Sequence, residues 1–139
     1  ARRKRMIFGI GIDLIEIKRI EKACEKRSFL EKVFTAAEQQ LIADKKSRAA
    51  GCFAVKEAVV KVFGTGFAGC SPIEIEVLRK ENGKPYVNLY GKARQLAKEL
   101  EIDSLFVTIT NTNDFAAAVA VGECNKKRNE KEEEEWSVL

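Results

Sequence analysis

An α+β architecture, with an antiparallel sheet packed around one long central helix, follows from three features of the chain. Residues 46–64 carry apolar side chains on almost every face and end at Gly64, a glycine suited to a left-handed helix cap, which marks a long buried helix. Two segments of strand composition are each divided by turn residues, Glu81-Asn82-Gly83-Lys84 in one and Asn111 to Asp114 in the other, and so read as hairpins. Shorter stretches with helical spacing connect them, and hairpins beside a buried helix define the class.

In chain order, residues 7–13 form a strand whose two glycines permit close backbone approach or a bulge, and Asp13 ends it. Helical spacing from about Leu14 to Val33 puts Ile17, Ile20 and Cys24 on an apolar side, with Lys18, Arg19, Lys22 and Lys26 sharing an arc of about 100° opposite. Thr35 followed by Glu38 is a candidate capping box opening a short helix. The first hairpin pairs Ile73–Leu78 with Tyr86–Leu89, a helix spans Lys92–Leu100, and the second hairpin pairs Leu105–Thr110 with Phe115–Val121. The small alanines of Phe115-Ala116-Ala117-Ala118-Val119-Ala120-Val121 suit a strand lying close under the long helix.

The 139 residues, 45% hydrophobic and 33% charged, fit one globular domain over 1–125, followed by a charged tail over 126–139 expected to be frayed or disordered. No apolar run approaches the ~20 residues of a membrane span, and Asp13 interrupts the hydrophobic stretch that follows the basic start, so neither a membrane partner nor a signal peptide is expected and the cytoplasm is the default. Cys24, Cys52, Cys70 and Cys124 form no CxxC pair and no zinc pattern. The chain contains no histidine, which excludes imidazole catalysis and leaves oxygen ligands and lysines. Arg2, Arg3, Lys4 and Arg5 account for the net charge of +4, while residues 6–125 hold 17 basic and 16 acidic side chains; a nucleic-acid partner is not expected.

The long helix bears only Lys56, Glu57 and Lys61 as charges within 53–66, on an arc of about 140°. That arc faces water or a ligand, and on spacing alone an ordinary Glu57–Lys61 pair worth ~0.3–0.5 kcal/mol on a solvated face accounts for it. Asp13, on the same terms, reads as a helix N-cap before Leu14.

Taken together, Gly9-Ile10-Gly11-Ile12-Asp13, Phe53-Ala54-Val55-Lys56-Glu57-Ala58 with Lys61 and Gly64-Thr65-Gly66, and Asn82-Gly83-Lys84-Pro85 resemble the holo-acyl carrier protein synthases of the 4′-phosphopantetheinyl transferase superfamily. Thr108-Ile109-Thr110-Asn111-Thr112 adds a partial match, and the resemblance runs from roughly Ile7 to Gly122. It implies that superfamily's fold, a homotrimer with active sites between subunits, and transfer of 4′-phosphopantetheine from coenzyme A to a serine of apo acyl carrier protein in fatty acid biosynthesis. Asp13 and Glu57 are then the magnesium ligands, and Glu57, Lys61 and Asp13 the catalytic set. Lys61, about 40° round the helix from Glu57, could reach the same diphosphate. Lys56 contacts a phosphate or pairs with a carboxylate elsewhere; the base for the serine is Glu57, a water on the metal or another carboxylate.

Gly64, Thr65 and Gly66, the turn Asn82, Gly83, Lys84 and Pro85, and Thr110, Asn111 and Thr112 are the implied coenzyme A contacts, although a helix cap and a hairpin turn need the same glycines. Arg19, Lys22, Lys26 and Arg27 would meet an acidic carrier, or simply form a solvated face beside Glu21 and Glu25. Family members often carry Ser-His-Thr where this chain has Thr110-Asn111-Thr112, and Gly-Arg where it has Gly51-Cys52. A non-catalytic coenzyme A or carrier-binding module of the same fold is the alternative that these departures suggest.

Overall fold

The computed structural model describes residues 3–127, with side chains over 5–125. Ten regular elements follow in order: β1 (Arg3–Glu16), α1 (Ile17–Ala23), α2 (Arg27–Val33), α3 (Ala36–Asp44), α4 (Arg48–Phe63), β2 (Ile75–Arg79), β3 (Pro85–Leu89), α5 (Gly91–Glu99), β4 (Ile102–Asn111) and β5 (Phe115–Lys127). Two short 3₁₀ turns, Gly66–Ala68 and Pro72–Glu74, join α4 to β2. The fold is α+β, as its sequence implies. β5 lies between β1 and β4 in an antiparallel three-stranded sheet, and β2 and β3 form a separate hairpin. Of the expected tail, residues 128–139 lie outside the described residues. Among the described residues, no helix is long and apolar enough to cross a membrane.

α4 packs against β1 and β5 on one side and also meets β2 and β4. Twelve of its sixteen residues are buried, so no face of it is left to water except the strip carrying Glu57 and Lys61. Gly64 caps it at φ +79°, donating its N–H to the carbonyls of Val60 and Lys61. On β5, Ala116, Ala118 and Ala120 are buried on the helix side, where larger residues would hold the sheet off.

The glycines of β1 do both things open to them. The β1–β5 register shifts between Ile7 and Gly9, and Gly11 lies directly under the Ala58 carbonyl. β1 does not stop at Asp13, however. It stays paired to β5 as far as Glu16 opposite Phe115, because Ile12 and Leu14 continue the outward alternation begun at Ile10. Asp13 is therefore a mid-strand residue rather than a helix cap; Glu16 precedes α1.

The single helix expected over 14–33 is also corrected. It is two short helices separated at Cys24–Lys26, where Glu25 and Lys26 donate to carbonyls three residues back and tighten the end of α1. The redirection lets Phe29 pack edge-on against Phe34 and beside Phe53. Ile73 and Glu74, read from sequence as the start of a strand, instead lie in the capped 3₁₀ turn Pro72–Glu74, in which Ser71 and Glu74 form a capping box.

The sheet face turned away from α4 is apolar and uncovered in the isolated chain. Register aligns Ile10 with Val121 and Phe106, Ile12 with Val119 and Thr108, and Leu14 with Ala117 and Thr110. Ile10 is 70% exposed, Leu14 66%, Ile12 63% and Phe106 54%.

Candidate active site

β1 delivers Asp13 and α4 delivers Glu57 and Lys61 to one cleft of about 530 Å³. Arg19 from α1 stands at the same cleft, and Ile20, Phe29, Phe53 and Phe115 form its apolar wall. Lys61 crosses from α4 to β1: its ammonium donates to the Ile12 carbonyl at 2.7 Å and stands 3.6 Å from the Asp13 carboxylate. It stays half exposed, so a proton remains to be donated to a ligand. Glu57 and Lys61, which spacing alone assigns to water, thus face a ligand-sized hollow.

Burial raises the Asp13 carboxyl above its ordinary value, with the Lys61 charge and hydrogen bond opposing it. Burial likewise raises Glu57, the Asp13 charge adds to the effect, and Lys61 works against both. Two carboxylates that disfavour each other's ionisation form a site that a cation would relieve. Their chemistry, hard oxygens from separate elements lining one cleft, fits magnesium, which retains waters and accepts phosphate oxygens.

Lys56 is not in this cleft. Its side chain has no exposed surface, and its ammonium sits on Glu38 at 2.9 Å and on the carbonyls of Pro72 (2.9 Å) and Ile75. Of the two sequence alternatives, pairing with a remote carboxylate is the one the structure shows, and with three buried acceptors Lys56 has no proton left for a phosphate. Burial lowers the Lys56 ammonium, with Glu38 opposing the shift.

Lys22, Lys26 and Arg27 are exposed away from the cleft lining, and Arg27 pairs with Glu31 at 3.0 Å. The break between α1 and α2 cuts Lys26 and Arg27 off from the stripe of Arg19 and Lys22 on α1. Gly64, Thr65 and Gly66 form the exposed cap of α4, where the Thr65 hydroxyl donates to the Gly66 carbonyl. Asn82, Gly83, Lys84 and Pro85 make the β2–β3 turn, with the Asn82 side chain accepting from the Lys84 N–H and Gly83 at φ +87°. Neither segment lines the cleft.

Of the second hairpin, Thr110 belongs to the outer sheet face, and the Thr112 hydroxyl accepts from the N–H groups of Asp114 and Phe115 to hold the turn. Asn111 lines a second, smaller cavity of about 220 Å³ with Lys45, Ser47, Arg48 and Arg79. No carboxylate lines this cavity, and the Arg79 Nε within it is buried without a hydrogen-bond partner. Cys52 turns the other way, fully buried with its thiol against the Val77 carbonyl, and burial pushes that thiol up to about 11.

Sequence reasoning missed Lys45, Arg48 and Arg79 because three separated basic residues carry no spacing signal. It missed Glu38 as a partner of Lys56 although its capping role was legible; that box is present, with Thr35 and Glu38 exchanging both bonds.

The model of the 4′-phosphopantetheinyl transferase superfamily matches residues 9–120. A holo-[acyl-carrier-protein] synthase of Lachnoclostridium phytofermentans is 57% identical over 118 residues, 85% of this chain and 97% of that protein. Among solved structures, the acyl carrier protein synthase of Plasmodium yoelii with ADP bound superposes at a TM-score of 0.79 with 32% identity, covering 88% of this chain and 99% of that one. The Helicobacter pylori holo-[acyl-carrier-protein] synthase in complex with coenzyme A gives 0.72 and 36%, over 81% and 98%. The chain belongs to the 4′-phosphopantetheinyl transferase superfamily and is an enzyme of its holo-acyl carrier protein synthase family.

Proposed function

We propose that this enzyme transfers 4′-phosphopantetheine from coenzyme A to a serine of apo acyl carrier protein in a magnesium-dependent reaction that serves fatty acid biosynthesis. The observation that carries this reading is the convergence of Asp13, Glu57, Lys61 and Arg19 on one cleft. Coenzyme A bound to the Helicobacter pylori relative supports the donor.

Asp13 and Glu57 would hold magnesium, which supplies charge neutralisation on the diphosphate and alignment for in-line displacement. The serine Oγ forms a bond to the phosphorus bearing pantetheine as the bond from that phosphorus to the bridging oxygen breaks. Adenosine 3′,5′-bisphosphate leaves with the electron pair, and the serine proton passes to a base. Lys61, already anchored on the Ile12 carbonyl, donates toward the leaving oxygen, where negative charge grows. Arg19 at the cleft rim orients an acidic carrier, and the apolar wall of Phe29 and Phe53 receives its nonpolar side chains.

Coenzyme A carries a phosphomonoester besides its diphosphate, and the cavity of Lys45, Arg48, Arg79 and Asn111 has the chemistry for it. There Arg79 supplies the cation that Cys52 does not: its guanidinium lies beside Gly51, with Nε free to donate. The two cavities share no lining residue, which fits a site assembled between subunits. The exposed Ile10, Ile12, Leu14, Val119 and Phe106 face supports a homotrimer. The free thiols of Cys24, Cys52 and Cys70 support a reducing, cytoplasmic setting.

Incubation of the purified chain with coenzyme A, apo acyl carrier protein and magnesium, followed by intact-mass measurement of the carrier, tests the reading. A gain of one phosphopantetheine group that a chelator abolishes is the expected result; an unmodified carrier in both samples refutes it.

A further inference from the structure

Burial alone does not tell α4 how to face. Apolar residues cover the helix on all sides but the Glu57–Lys61 strip, so the amount of apolar area buried discriminates weakly between small rotations about its axis. Catalysis requires one rotation, since Lys56 and Glu57 are consecutive and project about 100° apart. A turn of the helix by one residue in one sense would bring Lys56 to the azimuth of Glu57, and in the other sense would bring Glu57 to that of Lys56.

Lys56 removes that freedom. Its ammonium has three protons and three acceptor groups: the Glu38 carboxylate, the Pro72 carbonyl and the Ile75 carbonyl. Glu38 is itself fully buried and accepts from the backbone N–H groups of Thr35 and Val77, each at 2.9 Å. The acceptors thus come from the start of α3, the Pro72–Glu74 turn and β2, and fix Lys56 from several directions. Phe34 closes over the ammonium at 5.4 Å from its ring centre.

We propose that the Glu38–Lys56 pair is a rotational pin that sets the azimuth of α4 and so aims Glu57 and Lys61 into the cleft. Lys56 is on this account a positioning residue that touches no substrate. A buried ion pair is a weak source of stability, since well-packed neutral side chains of similar volume commonly serve as well or better; fixing orientation is the role such groups perform in helical assemblies whose apolar surfaces leave register open. The proposal rests on the transferase reading of the cleft.

The test neutralises both partners at once, because removing one would leave a buried charge. Wild type, Glu38→Gln/Lys56→Met and Glu57→Gln are compared for transfer with coenzyme A and carrier varied separately, alongside thermal melts. The double variant should fold with a Tm lowered because the Pro72 and Ile75 carbonyls lose the Lys56 donor, should lose about 10- to 100-fold in kcat through misplacement of the reacting groups, and should keep its KM for the carrier, whose docking helix is α1. A folded double variant with kcat within about twofold of wild type, well inside that expected loss, overturns the pin. Should the double variant fail to fold, Glu38→Asp decides: it keeps both charges and withdraws the acceptor by one methylene, so a reduced kcat at constant carrier KM supports the pin and an unchanged kcat overturns it. Inactive wild type would sink the transferase reading and the pin with it, whereas active wild type with an active pin variant sinks the pin alone.

Discussion

Gly11 lies so close beneath Ala58 that a β-carbon on the glycine would stand 2.0 Å from the alanine carbonyl oxygen. The contact joins β1 to α4 one residue from Glu57 and two from Asp13, and so sets the spacing of the cleft carboxylates. Gly9 sits less tightly, with its would-be β-carbon 3.2 Å from the Val62 carbonyl oxygen. Gly11→Ala should therefore cost about 1–3 kcal/mol in urea unfolding, the range for overpacking against atoms that cannot yield, and should reduce transfer. Gly9→Ala should cost less on both measures. Equal stability and activity in Gly11→Ala and wild type would show that the close approach has no such role.

Much of this arrangement was legible in the sequence. The α4 boundaries, the capping box at Thr35 and Glu38, both hairpins and the close-packed alanines of β5 follow from local rules of spacing and turn chemistry. Where β1 ends and where the first helix breaks did not, because pairing with β5 as far as Phe115 and the packing of Phe29 on Phe34 and Phe53 are contacts between distant residues. The same limit applied to the site. Helical geometry placed Glu57 near Lys61, but Lys56 acquired its partner only when α3 and β2 met α4. Arg79 reached the Asn111 cavity from a strand of the other hairpin, which no spacing rule announces.

The raised carboxyls of the cleft tie activity to stability. Their main cause is burial, so folding favours the protonated forms of Asp13 and Glu57. A group whose folded value is raised contributes stability that is present below its unfolded value and lost as pH rises through the folded one. Neutralising Glu57 should thus raise the Tm of metal-free protein at pH 7, while transfer should fall by more than ~100-fold if Glu57 holds the proposed magnesium. In wild type, magnesium should have to displace protons from these carboxyls, so the magnesium concentration for half-maximal transfer should rise as pH falls. A Glu57→Gln protein that melts lower than wild type without metal would contradict this account.

Arg79 predicts a discrimination between donors. If its guanidinium binds the phosphomonoester of coenzyme A, Arg79→Gln should raise KM for coenzyme A by about 10-fold or more, as for loss of a charge-assisted hydrogen bond. With 3′-dephospho-coenzyme A the two proteins should perform alike. An equal penalty with both donors would place Arg79 outside phosphate recognition.

Arg19 is the cation of the basic set that reaches the cleft. Arg19→Glu should weaken the carrier interaction by more at low salt than at high salt, because attraction between exposed charges is screened within about 10 Å at 0.1 M ionic strength. Lys26→Glu should have a smaller effect, since Lys26 lies in the turn between α1 and α2 and does not line the cleft. Titration of labelled apo carrier at two salt concentrations reads the difference, and an Arg19→Glu affinity unchanged at both would reject docking at this rim.

Assembly makes the sharpest demand on the outer sheet face. Ile12 stands between Ile10 and Leu14 on that face, opposite Val119, and is 63% exposed in the single chain. A carboxylate there would have to be buried without a partner in a trimer but would be well solvated in a monomer. Ile12→Glu should accordingly yield a folded monomer by light scattering and abolish transfer, although Asp13, Glu57 and Lys61 are untouched. Subunit mixing carries the argument to the active site itself. If one subunit supplies the Asp13–Glu57 cleft and its neighbour the Arg79–Asn111 cavity, Glu57→Gln and Arg79→Gln proteins are each impaired at every site, but mixed trimers contain interfaces with both parts intact. Unfolding and refolding the two together should restore activity above that of either alone when coenzyme A is held well below the KM of Arg79→Gln. No recovery in verified mixed trimers would mean that each chain completes its own site, and the apolar face would then serve assembly alone.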